Sequence, residues 1–96
     1  MKNTTEQLRN FLQYVAVNMI DNPGSAQLKI AELAPDHVRF KLILAREDVA
    51  VLIGRNGSTI SALRNLLKAI AKRDNCKVQL HIHSHEEEQQ MTASGE

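Results

Sequence analysis

Residues 51–65 read VLIGRNGSTISALRN. A short apolar run stops at Gly54, passes through the cation of Arg55 and the amide of Asn56, meets Gly57, and restarts as a helical pattern. Two glycines separated by two residues are a weak signal alone, because tight helix–helix corners use glycine for steric reasons. The other reading is a loop whose backbone touches a ligand. Where a helix begins, the N–H groups of its first turn lack intrahelical acceptors and suit a phosphate. Gly54 and Gly57 allow unusual backbone angles and close approach, while Arg55 adds a positive charge and Asn56 a hydrogen-bonding amide.

Working outward, Ile60, Leu63, Leu67 and Ile70 recur at helical spacing, and Ser58, Ser61, Arg64, Asn65, Lys68 and Lys72 take the solvated side. This is expected to be the longest amphipathic helix, ended by Asp74-Asn75. Val78, Leu80 and Ile82 then alternate with Lys77, Gln79, His81 and His83, which predicts a strand. Upstream of the loop, Glu47 to Ile53 is too short for periodicity to choose between helix and strand; Glu47 and Asp48 favour a helix start, and Gly54 supplies its stop. Before it, His37–Ala45 alternates Val38, Phe40, Leu42 and Leu44 with Arg39 and Lys41, and Ala26–Leu33 alternates Ala26, Leu28 and Ile30 with Gln27 and Lys29. These read as a hairpin turning at Ala34-Pro35-Asp36.

A first helix is expected over residues 5–20, opened by a capping box Thr4-x-x-Gln7 and carrying Leu8, Phe11, Leu12, Val15 and Met19 on its apolar face. Asp21-Asn22-Pro23-Gly24-Ser25 breaks it. Phe11, Tyr14 and Phe40 read as packing residues. Beyond His83, SHEEEQQMTASGE shows no apolar periodicity and reads as a flexible acidic tail over residues 84–96. The class is α+β, in the order α-β-β-α-α-β, with helices packed on one face of a three-stranded sheet.

The chain has 96 residues, 43% of them hydrophobic, enough for one small core and one domain, here residues 1–83. No stretch approaches the roughly 20 apolar residues of a membrane span, and the polar N-terminus is unlike a signal peptide, so a cytoplasmic protein with no membrane association is expected. Cys76 is the single cysteine, so no internal disulfide is possible. The net charge of +1 hides an uneven distribution: residues 37–83 hold nine Lys/Arg against three Asp/Glu, whereas residues 84–96 hold none against four. A basic middle surrounding the glycine stretch is the footprint expected for a polyanion, although lysine-rich helix faces are also ordinary solvated surfaces.

Taken with its context, Ile53-Gly54-Arg55-Asn56-Gly57 resembles the I-G-x-x-G loop of a KH domain, and the element order resembles the type II topology. Asp21-Asn22-Pro23, Arg46-Glu47-Asp48 and Ala62-Leu63-Arg64-Asn65-Leu66-Leu67-Lys68-Ala69 are similar to the small single-domain bacterial KH proteins of the KhpA (YlqC) family, over roughly residues 7–83. The resemblance implies a mixed sheet and binding of single-stranded RNA, with the loop clamping the backbone and bases lying in an adjoining groove. By position it implies that Gly54 and Gly57 admit the backbone, that Arg55 and Asn56 contact phosphate or sugar, and that Ser58 and Thr59 present donors at the helix start. Val49, Leu52, Ile53 and Ile60 would wall the groove, with Arg39, Lys41, Arg46 and Arg64 as peripheral cations. It further implies self-association, and pairing with a larger RNA-binding protein of the Jag (KhpB) kind. Val51 stands where many relatives carry lysine, and the loop holds Arg-Asn instead of a lysine-containing pair, so affinity or preference is expected to differ from theirs.

Other chemistries find little support. The loop lacks the G-x-x-x-x-G-K-[ST] pattern of a nucleotide-binding P-loop, and no nucleophile–base pairing is evident, so no catalysis and no cofactor are expected. His81, His83 and His85 alternate as on one strand face, but no cysteine or carboxylate cluster completes a metal site, and a polar strand face is the simpler reading. The scarcity of aromatics argues against modules that stack bases on aromatic platforms. The alternative left open is an interaction module that uses a KH-like fold for assembly, with RNA contact weak or lost.

Overall fold

The computed structural model describes residues 2–93, with side chains from 3 to 91. Helix α1 (Lys2–Met19) is followed by a 3-10 turn, strands β1 (Gln27–Ala34) and β2 (His37–Leu44), helix α2 (Arg46–Ile53), helix α3 (Ser58–Arg73), strand β3 (Lys77–Ser84) and helix α4 (His85–Ala93). The sheet order is β1-β2-β3, with β1 antiparallel and β3 parallel to the central β2. The parallel pair runs in unbroken register from His37 opposite Lys77 to Leu44 opposite Ser84. Two parallel neighbours cannot be joined by a tight turn, so α2 and α3 form the crossover. The expected order and mixed sheet are observed, and the chain then adds α4.

Strand alternation points Val38, Phe40, Leu42 and Leu44 of β2 and Val78, Leu80 and Ile82 of β3 toward the helices, where all are buried. Leu8, Leu12 and Ala16 pack against them from α1 and Ile20 from just past its end, Leu52 from α2, and Ile60, Leu63, Leu67 and Ala71 from α3. The buried row of α1 follows strict i, i+4 spacing and so winds around the helix. By Met19 the contact face has turned away, leaving that expected core residue 38% exposed. Tyr14 is 71% exposed, so it is not the packing residue its aromatic character led us to expect. On β1, Ile30 and Leu33 are also exposed, because β1 is the sheet edge and a register shift between Glu32 and Ala34 interrupts its alternation.

The expected capping box at Thr4 does not form. The helix is already under way at Lys2, Thr4 is buried and donates its hydroxyl to the Asp74 carboxylate, and the Gln7 side-chain Oε1 accepts from Arg73 Nη2 at 2.7 Å. These polar contacts tie the start of α1 to the end of α3. There Asn75, with φ 57°, ends the helix in a Schellman arrangement: Cys76 N–H reaches the Ala71 carbonyl at 2.9 Å and Asn75 N–H that of Lys72 at 3.0 Å.

Residues 84–93 depart from the expected tail. Ser84 completes β3, and its hydroxyl accepts from Glu87 N–H at 3.1 Å while the Glu87 carboxylate accepts from Ser84 N–H at 2.8 Å. This reciprocal capping box starts α4. The Ser84 N–H bond, together with the hydroxyl, holds the Glu87 carboxyl below its ordinary pKa. The helix lies against β3 and β2, over the sheet face turned away from the other helices, where Ile43 is only 1% exposed. Residues 94–96 of the expected tail lie outside the described residues.

One buried carboxylate joins the halves of the fold. Asp48, completely buried in α2, accepts from the N–H groups of Asp21 and Asn22 at 3.0 Å each and from the Asn22 side chain at 3.2 Å. The Asp21 N–H bond is the main reason its pKa lies below the ordinary 3.8, with the Asn22 bonds adding to it against the opposing effect of burial. A depressed carboxylate pKa contributes stability that is present above the unfolded value and lost as pH falls through the folded one. Asp48→Ala is therefore expected to lower the melting temperature by several degrees near neutrality. Thermal melts followed by circular dichroism should show that gap closing progressively below about pH 4.

Candidate nucleic-acid interface

The glycine stretch forms the corner between α2 and α3. Gly54 ends α2 with φ 78° and ψ 174°, its N–H held by the Ala50 carbonyl at 3.0 Å. Arg55–Gly57 make one 3-10 turn in which Asn56 has φ 56° and Gly57 φ 75°, closed by Gly57 N–H on the Gly54 carbonyl at 3.1 Å. Left-handed angles at Gly54, Asn56 and Gly57 reverse the chain within four residues, and Asn is among the few side chains that accept that region. Arg55 and Asn56 are thereby exposed at the tip.

The two glycines do different work. A Cβ on Gly54 would stand 2.3 Å from Thr59 Oγ1 and 2.8 Å from Thr59 N, because the loop folds back onto the first turn of α3. A Cβ on Gly57 would meet nothing within 4 Å, so the space beside it is open to an approaching strand. Helix α3 begins at Ser58 with no side-chain capping bond. The Ser58 N–H is taken by the Arg55 carbonyl, and the later N–H groups of the first turn, with the positive end of the helix dipole, face the loop without a side-chain acceptor.

The remaining expected site residues separate into distinct environments. Ser58 is exposed and Thr59 half-buried against Gly54, adjoining Arg55 and Asn56. Leu52 is completely buried and Ile60 is 8% exposed, so both are core residues beneath the loop, where they fix its position, and neither forms an open wall. Val49 and Ile53 are partly buried against the same core. Val49 lines a cleft of about 430 Å³ shared with Arg46, Ser84 and the start of α4.

An open groove of about 240 Å³ lies along α3 instead, between Arg64, Leu67 and Lys68 on one side and Val78, Gln79, Leu80 and His81 of the edge strand β3 on the other. Arg64 spans it, donating from Nε and Nη2 to the Leu80 carbonyl at 3.2 and 2.9 Å. Lys68 and the β3 residues were missed as site residues. The i, i+4 spacing of Arg64 and Lys68 was visible, but the position of β3 at the sheet edge was not. His81 has its pKa lowered, first by burial and then by the nearby charges of Arg39, His83, Arg64 and Lys41. Its imidazole is therefore mostly neutral at pH 7, able to donate and accept, and it stands at the rim of the groove on the strand face it shares with His83.

Of the four peripheral cations, only Arg64 belongs to this groove. Arg39 and Lys41 point to the opposite sheet face, where Lys41 Nζ meets Glu88 at 3.2 Å, and Arg46 pairs with Glu86 at 3.0 Å. The alternating histidines also part: the rings of His81 and His83 stay together, with centroids 6.0 Å apart, while His85 enters α4 and its Nε2 meets the Ser25 carbonyl.

Gly57→Ala should cost about 1–2 kcal/mol, the price of a left-handed alanine alone. Gly54→Ala should cost more, since the overlap with Thr59 includes backbone. With roughly 4–8 °C of melting temperature per kcal/mol in a domain this small, thermal melts should separate the two variants clearly.

A model of the KhpA/KhpB KH domain matches residues 9–82. Among curated proteins, the RNA-binding protein KhpA of Chlamydia trachomatis is 37% identical over 75 residues, covering 78% of this chain and 95% of that protein. The KhpA of Borreliella burgdorferi is 30% identical over 71 residues, covering 74% and 85% respectively, and that of Streptococcus pneumoniae serotype 4 is 29% identical over 65 residues, covering 68% and 81%. The match runs from the middle of α1 almost to the end of β3 and includes the whole crossover with its glycine corner, and the chain belongs to the KhpA/KhpB KH-domain family.

Proposed function

We propose that the chain binds single-stranded RNA, with the segment Gly54–Thr59 holding the sugar-phosphate backbone and bases lying along the groove between α3 and β3. The observation that carries this reading is the left-handed turn Gly54-Arg55-Asn56-Gly57 set on an α3 N-terminus with no capping side chain. Gly57 leaves room for the strand, the first-turn N–H groups of α3 offer donors to phosphate, and Arg55 and Asn56 reach it from the tip. Arg64, Lys68, Gln79 and His81 then supply hydrogen-bonding groups suited to base edges, over a floor formed by the buried Leu67 and Val78. The name RNA-binding protein carried by the KhpA relatives supports the same ligand. The corresponding role is a cytoplasmic post-transcriptional regulator or RNA chaperone with no catalytic step. No helix among the described residues is long and apolar enough to cross a membrane.

Assembly is the companion reading. One KH domain covers only a few nucleotides, and joining two raises the effective concentration of the second site. Leu66 is 51% exposed on α3, and Tyr14 and Val17 are 71% and 55% exposed on α1, so apolar surface is available for a second copy or a KhpB-like partner.

The double variant Arg55→Asp/Asn56→Asp should abolish RNA binding in a fluorescence anisotropy titration while leaving the circular dichroism spectrum and melt unchanged; wild-type affinity in that folded variant refutes the site. Wild-type affinity should fall linearly in log–log form as salt rises, and a flat response excludes a backbone clamp. Self-association or partner capture, measured by analytical ultracentrifugation and pull-down, should survive the double substitution, whereas a strict monomer at micromolar concentration with no partner recovered counts against assembly.

A further inference from the structure

Helix α4 lies beyond the family match and begins with Glu86, Glu87 and Glu88. Glu87 is spent on the capping box with Ser84. Glu88 meets Lys41 Nζ at 3.2 Å and Lys29 Nζ at 3.3 Å, with His83 Nδ1 at 3.7 Å, and Glu86 meets Arg46 at 3.0 Å. Lys29 and Lys41 stand directly opposite each other in the β1–β2 ladder. Like charges facing each other across strands repel, so this pair is arranged around an anion, and the Glu88 carboxylate is the one present. Arg39 follows Lys41 on the same face one side-chain repeat away, about 7 Å along the strand, which continues the cations as a track. A row of point cations at that spacing suits successive phosphates of an extended strand better than the irregular charges of a folded acidic protein.

We propose that Lys29, Lys41 and Arg46 form a second phosphate-contact surface for single-stranded RNA, which Glu86 and Glu88 of α4 occupy in cis as a displaceable competitor. The proposal takes its ligand class from the RNA-binding reading of the glycine loop, but none of its residues belongs to that loop. α4 thus weakens binding on the outer sheet face until an RNA long enough to leave the loop displaces its carboxylates.

The test compares full-length Glu86→Gln/Glu88→Gln, with Glu87 kept for the cap, against Glu6→Gln/Glu32→Gln, which removes the same charge at exposed sites on α1 and β1. A fluorescent oligouridylate is titrated against each by anisotropy over a range of salt. Glu86→Gln/Glu88→Gln should bind several-fold tighter than the control, with the salt slope steeper by about 2, since three further phosphate contacts contribute roughly 0.7 each. Adding Lys29→Gln/Lys41→Gln/Arg46→Gln should remove both gains. None of these side chains belongs to the core, and thermal melts verify folding. Equal affinity for the two glutamine variants, or a gain that survives loss of the three cations, overturns the proposal. A gain for polyglutamate but not for RNA assigns the surface to an acidic protein and overturns it too. Failure of the loop reading appears separately, as unchanged affinity in Arg55→Asp/Asn56→Asp.

Discussion

The parallel pairing of β2 with β3 governs everything else in this fold. Strands that run the same way must be connected by a chain that returns to the starting end, and a helical crossover does so while burying an apolar face on the sheet. Here the crossover is two helices, so it needs a corner, and the corner is the glycine loop. Leu52 before it and Ile60 after it are anchored in the core, which holds the exposed Arg55 and Asn56 on a rigid support. The features that make the turn geometrically possible, left-handed angles and missing side chains, also leave open space beside Gly57, which the proposed backbone contact would use.

The same pairing makes β3 an edge strand, and β3 with α3 bounds the open groove beside the loop. An edge strand keeps backbone groups that no neighbouring strand has taken. Arg64 engages one of these, the Leu80 carbonyl, which both occupies the edge and fixes the guanidinium along the groove. Burial and surrounding cations lower the pKa of His81 at the rim of the groove. In the proposed mode of binding, phosphate is held at the loop and bases lie along α3 and β3.

Charge is divided in a second way by α4. Lys41 hydrogen-bonds Glu88 and is the leading cause of that carboxyl's lowered pKa, so Glu88 is ionised at neutral pH. The Arg46–Glu86 pair is solvent-exposed and of the kind that contributes typically below about 1 kcal/mol, whereas Lys41 and Glu88 are largely shielded from water. Capping at Ser84 and coverage of Ile43 complete the docking of α4.

By itself the sequence determined what local chemistry dictates. The glycines, the periodicity of Ile60, Leu63 and Leu67, and the alternation in β2 and β3 mark the corner, the long helix and the strands, because those signals depend only on neighbours within a turn or a strand repeat. Tertiary structure decided the rest. Which apolar side chains are walls and which are core depends on what packs over them: Leu52 was legible as apolar but not as completely buried, and Tyr14 not as exposed. Asp48 looked like a helix-start acid, while its main partners, Asp21 and Asn22, lie 27 and 26 residues away. The polar segment after His83 showed no periodicity because the partners of Glu88 and Glu86 are Lys29, Lys41 and Arg46, separated from them by 59, 47 and 40 residues. Spacing along a chain reports only local faces, and opposite charges that meet across a sheet leave no pattern until the strands between them are in register.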